Sequence, residues 1–150
     1  MRLRCVPLFS LAAVAASGTA LACTPSAATP MERLVVRSGW ARLADSGATS
    51  GAYLEIANND TAAVTLVGIT ADVATAAEVH ESMQHEGMAH MIARTELPIA
   101  AGSVLSMQPG GLHVMLVGLR RALAVGDQVS LRLRFSNGTE VAAVVPVNAP

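Results

Sequence analysis

Four side chains able to donate to a soft metal ion stand at His80, Met91, His113 and Met115, a His-x10-Met-x21-His-x-Met spacing. A thioether is a neutral, polarizable donor that prefers Cu(I), whereas imidazole serves copper, zinc, iron and nickel alike. A mixed His/Met set therefore selects copper(I). Methionine sulfur also needs no deprotonation and cannot be lost to a disulfide, so it holds reduced copper where a cysteine pair would oxidise. Sulfoxide formation is its remaining liability. Because neutral imidazole is the binding form, copper affinity is expected to weaken as pH falls below an imidazole pKa of about 6.5.

Positioning such a set falls to strands. In Leu112-His113-Val114-Met115-Leu116 the alternation puts three aliphatics on one face and His113 with Met115 on the other. At a rise of about 3.3 Å per residue, the two donors stand about 6 to 7 Å apart. Short apolar runs recur between turn signals, around 33–43, 51–57, 63–69, 77–81, 90–95, 103–107, 112–118, 128–135 and 139–147. That rhythm predicts an all-β antiparallel sandwich or barrel of about eight or nine strands. The clearest strand is Val129 to Phe135, and Asn137-Gly138 supplies a hairpin turn after it because both residues accept positive φ. The alanine-rich stretch from Ala71 to Ala77 is the one place where a helical turn competes.

Each donor alone has an ordinary explanation. Met115 and Met91 could fill core, His80 could close a strand, and His113 could be a hydrogen-bonded surface residue. With 7 Met and 4 His in 150 residues, meeting the other three types at set distances from any one histidine has a chance of about 2 in 10,000. The joint spacing is what argues for a site. Between His80 and Met91 lie further donors, Met83, His85, Met88 and His90. They are expected to form a loop with both methionines packed beneath it and both histidines solvated; the competing reading is a flexible copper relay.

The basic head Met1-Arg2-Leu3-Arg4, the apolar run to Leu21 and the small-residue site Ala20-Leu21-Ala22 read as a secretory signal peptide over 1–22. Cleavage leaves Cys23 at the new terminus, where a lipid is the one expected link to a membrane. Residues 23–32, with Pro25 and Pro30, read as a tether, and 33–148 as the folded domain. Loss of Arg2 and Arg4 lowers the basic count from 10 to 8 against 11 acidic residues, a formal charge of −3. With no lysine, no basic run and few aromatics, nucleic acid is excluded as a partner.

Enzyme chemistry finds little support. Blue-copper electron transfer needs a cysteine thiolate, and the folded region has no cysteine. No Gly-x-Ser-x-Gly frame occurs, and zinc hydrolysis would want more histidines or carboxylates.

The four donors, with Trp40-Ala41-Arg42, Gly51-Ala52-Tyr53-Leu54, Asn58, Pro109-Gly110-Gly111-Leu112-His113-Val114-Met115-Leu116, Gly118-Leu119 and Gly126-Asp127 through Phe135 and Gly138, resemble the PCuAC family of periplasmic copper(I) chaperones. The match covers roughly residues 35 to 147. The resemblance implies a cupredoxin-like, immunoglobulin-like sandwich with one Cu(I) per chain at His80, Met91, His113 and Met115. It also implies delivery to an exported acceptor, either the CuA centre in cytochrome c oxidase subunit II or another periplasmic copper chaperone. Some relatives carry a His/Met-rich tail with a second copper site; this chain ends Pro146-Val147-Asn148-Ala149-Pro150 and lacks those residues. Periplasmic copper storage and a metal-free binding module are the competing functions.

Overall fold

The computed structural model describes residues 33–85 and 87–149. The leader and the tether read from the sequence lie outside the described residues. Ten strands follow in order: β1 (Leu34–Arg42), β2 (Ser50–Asn58), β3 (Val64–Ala71), β4 (Ala74–His85), β5 (Met88–Ala93), β6 (Leu97–Ile99), β7 (Val104–Ser106), β8 (Leu112–Leu119), β9 (Gln128–Phe135) and β10 (Glu140–Asn148). Hydrogen bonding runs β5-β4-β8-β2-β1-β10-β9-β3-β6, with β7 added to β2.

This is an all-β architecture, as the recurring apolar runs predict, and the cupredoxin-like one that the resemblance implies, with three differences. First, β1 and β10 pair in parallel at Ala41↔Val147 and Arg42↔Asn148. The other pairings between strands are antiparallel. Second, Leu97-Pro98-Ile99 forms a strand that the proline conceals: β6 lies at the end of the sheet order, where a missing N–H is tolerated. Third, the alanine-rich stretch, where a helical turn competes, is a two-residue turn at Asp72 and Val73 followed by strand. β4 begins at Ala74 and pairs with β8 from Ala74↔Leu119 onward. Buried Val73 and Ala74 anchor that end in the core, so cross-strand bonding and burial override alanine's local preference.

The two halves of the sheet path close on one hydrophobic cluster. β9 alternates buried Val129, Leu131, Leu133 and Phe135 with exposed positions, and β10 does likewise. Leu54 and Ile56 on β2 and Val114 and Leu116 on β8 face them in the same cluster. Each such fully buried side chain contributes about 1.5–3 kcal/mol over leaving it exposed. At Gly39 the packing is so close that an added Cβ would meet Leu54 Cδ2 at 2.7 Å and Val145 Cγ1 at 2.8 Å.

The segment after His80 is also unlike the expected loop. β4 continues past it and turns at Gly87 (φ 80°), a backbone conformation glycine adopts without strain. β5 then returns in register from His85↔Met88 to His80↔Ala93. The result is a hairpin, bonded to β8 only as far as Glu81↔Leu112.

Candidate metal centre

One face of the β5-β4-β8-β2 region carries all four spaced donors, and Met91, His113 and Met115 share a groove on it. His80 and His113 are directly opposed across β4 and β8, and their ring centres lie 6.2 Å apart. Met115, two residues along β8, is opposite Glu78 on one side and Gly51 on the other. Met91 is paired with Ser82, one step diagonal from His80. Two-stranded ribbons twist strongly, and Met91 reaches a shallow groove that it lines together with Gly51, Tyr53, His113 and Met115. His80 does not line this groove; its ring centre lies 6.2 Å from that of His113, which does.

Burial separates the donors. Val114 and Leu116 are fully buried, as the alternation of β8 predicts, while His113 on the opposite face is nonetheless only 8% exposed. Tyr53 helps cover it, with ring centres 6.5 Å apart, and Trp40 stacks on Tyr53 at 4.6 Å. The His80 side chain is 15% exposed. Met91 is 61% exposed, so a sulfur donor stands in solvent beside two sheltered imidazoles.

Hydrogen bonding fixes which ring nitrogens are free. The carbonyl of Gly111 can only accept, so His113 donates Nδ1–H to it at 3.0 Å and Nε2 keeps its lone pair. Glu78 is 3.0 Å from His80 Nε2, and an ionised carboxylate also only accepts. The neutral ring then carries its lone pair on Nδ1, which is buried and has no hydrogen-bond partner. A buried polar atom without a partner costs free energy unless something binds it. A second ring nitrogen tied to a carboxylate or carbonyl is also the usual arrangement around a metal-ligating histidine. An imidazole nitrogen coordinates at about 2.0 Å and lies about 1.1 Å from its ring centre, so two rings bound linearly to one ion have centres about 6.2 Å apart, and a bent arrangement brings them closer. The observed 6.2 Å matches the linear span, so adding thioether ligands requires the rings to draw slightly together.

Among the described residues, no three His, Cys, Asp or Glu side chains gather into a metal-binding group. The donors available beside the two imidazoles are thioethers, a set suited to a soft ion rather than to zinc. Glu78, Gly111 and Tyr53 were not singled out as supports by their types. Glu78 and Gly111 each stand two residues before a histidine in the sequence, and that spacing was the available signal. Met83 and Met88 do not pack beneath a loop: they are 45% and 60% exposed on the hairpin.

The fold that carries this face is that of PCuAC domains. The chain superposes on the copper-bound PCuAC domain from PmoF2 with a TM-score of 0.66 at 21% identity, covering 81% of this chain and 97% of that one. It also matches Cu(I)-DR1885 from Deinococcus radiodurans with a TM-score of 0.56 at 31% identity, over 75% of this chain and 78% of that one. Within this class the chain belongs to the LpqE-like family, described as "Putative lipoprotein LpqE-like", whose model matches residues 34–147. The "Putative lipoprotein Lxx21020" of Leifsonia xyli subsp. xyli is 35% identical, over 87% of this chain and 81% of that protein.

Proposed function

We propose that the chain is an exported copper carrier that holds one Cu(I) at His80, Met91, His113 and Met115 and passes it to another exported protein. The observation that carries this reading is the buried, unpartnered Nδ1 of His80 beside His113, with the remaining nitrogen of each ring engaged by an acceptor. The copper-bound state of PmoF2 and the Cu(I) form of DR1885, both sharing this fold, support copper as the cargo. The site holds and releases the metal without changing it, so no catalytic residue is assigned. An exposed thioether at Met91 offers the acceptor a place to begin displacing ligands one at a time. The CuA centre of cytochrome c oxidase fits as the recipient, and storage is the competing use of the same site.

Anaerobic loading with Cu(I) followed by X-ray absorption should give a mixed nitrogen and sulfur shell, and His113→Ala should remove the tight equivalent while leaving the fold intact. A purely oxygen and nitrogen shell, or no stoichiometric copper, would sink the proposal.

The lipoprotein description of the family and of the Leifsonia relative supports export with a lipid on Cys23, the residue following Ala20-Leu21-Ala22. The intact mass of the mature protein tests it. A diacylglyceryl adduct at Cys23 is expected, and a free thiol there would overturn the anchor.

A further inference from the structure

The β4–β5 hairpin has two faces, and the proposed centre uses one. His80 and Met91 occupy one alternating set of positions; Met83 on β4 and Met88 and His90 on β5 occupy the other. The register sets Met83 directly opposite His90 and pairs Met88 with the backbone of His85. Opposed positions in such a ladder have Cβ atoms about 4.5–5.5 Å apart, and successive positions on one face follow at about 6.6 Å. Methionine, with three rotatable side-chain bonds, spans such distances.

These residues are not needed elsewhere. Met83 and Met88 are exposed, His90 is exposed, and none of them belongs to the hydrophobic cluster. A buried position is the common fate of methionine, so two thioethers presented to solvent beside an imidazole invite a ligand. The donor chemistry repeats that of the first site, which points to the same soft ion.

We infer that Met83, Met88 and His90 form a second, weaker Cu(I) site on the reverse face of the hairpin. It shares no donor with the first. Its weakness follows from exposure: three mobile side chains must be ordered on binding, whereas the rings of His80 and His113 are already held by Glu78 and Gly111. Because His90 and Met91 are neighbours on opposite faces of one strand, copper landing on the outer array sits one ribbon thickness from the sheltered centre.

An anaerobic Cu(I) titration of the mature chain against a chromophoric Cu(I) chelator tests this. The native protein should take up two copper ions, the second at least about tenfold more weakly because of that ordering cost. A Met83→Leu, Met88→Leu, His90→Asn triple variant should keep only the tight one, and His113→Ala should keep only the weak one. X-ray absorption of the second equivalent should add more sulfur than nitrogen. Uptake of a single ion abolished by His113→Ala, or two ions still taken up by the triple variant, would overturn the second site and leave the first standing. A single ion lost only in the triple variant would overturn the first centre and keep the hairpin array.

Discussion

His80 is a usable donor only while its other nitrogen is committed. A free imidazole can exchange tautomers or turn about its Cα–Cβ and Cβ–Cγ bonds, and either motion removes the lone pair from a metal. Glu78, two residues earlier on the same face of β4, accepts from Nε2 and leaves Nδ1 as the donor. Glu78 thus acts through His80 as a positioning residue. Removing such an outer partner usually costs 10–100-fold in metal affinity; because Glu78 is half-exposed, a loss near the lower end, about tenfold, is expected for Glu78→Ala. Glu78→Gln retains an accepting oxygen and should restore most of the affinity. A competition titration with Cu(I) measures both, and an unchanged affinity in Glu78→Ala would show that the ring is oriented by packing alone. His113 depends on a backbone carbonyl instead, so no side-chain substitution at Gly111 removes its acceptor.

At the scale of elements, the strands bearing the donors were legible to different degrees. β8 announces itself, because Leu112-His113-Val114-Met115-Leu116 alternates cleanly and both valine and leucine go inside. What that alternation cannot convey is the shelter of His113 on the outer face, which arises from Tyr53 on β2, some sixty positions earlier in the chain. β9 and β10 are equally plain, since each carries an unbroken period of two. The hairpin was hidden for a chemical reason. Along residues 81–91 both faces carry methionine or histidine, so no polar/apolar contrast marks the period, and glutamates with glycine read as a loop. Only the register reveals that Met83 meets His90 while Met91 belongs to the other side. Pro98 concealed β6 in a similar way, because a missing donor is a veto in a central strand and harmless at the end of the sheet order.

At the scale of the molecule, the metal face depends on how the two halves of the sandwich are joined. β1 and β10 meet in parallel for only two registered pairs, and the segment between β8 and β9 reinforces that short seam. Leu123 and Ala44 exchange backbone hydrogen bonds, and Val147 donates to the Asp127 carbonyl at 2.8 Å. Asp127 organises this segment: its carboxylate accepts from the Ala124 N–H at 3.0 Å and from Arg121 Nη1 at 2.8 Å. The Ala124 bond first, and the Arg121 guanidinium second, hold its pKa below the ordinary 3.8, against a smaller opposing effect of desolvation. A carboxyl depressed on folding stabilises the native state in full above its unfolded pKa, and the contribution vanishes as pH falls through the lower folded value. Asp60, held low by the Thr61 N–H and Arg33, acts in the same direction. Asp127→Asn should therefore melt a few degrees below the native chain at pH 7, and the gap should narrow as the pH is lowered below about 4, where the native carboxyl loses its charge. Thermal melts across that range measure it; a gap that stays constant down to about pH 2 would mean that turn geometry, not charge, supplies the stability. None of the four proposed donors lies in this segment, so the copper affinity of Asp127→Asn at pH 7 should match that of the native protein. A parallel loss of affinity would mean that the seam and the metal face are mechanically coupled through Arg42 and Leu43, which border the groove.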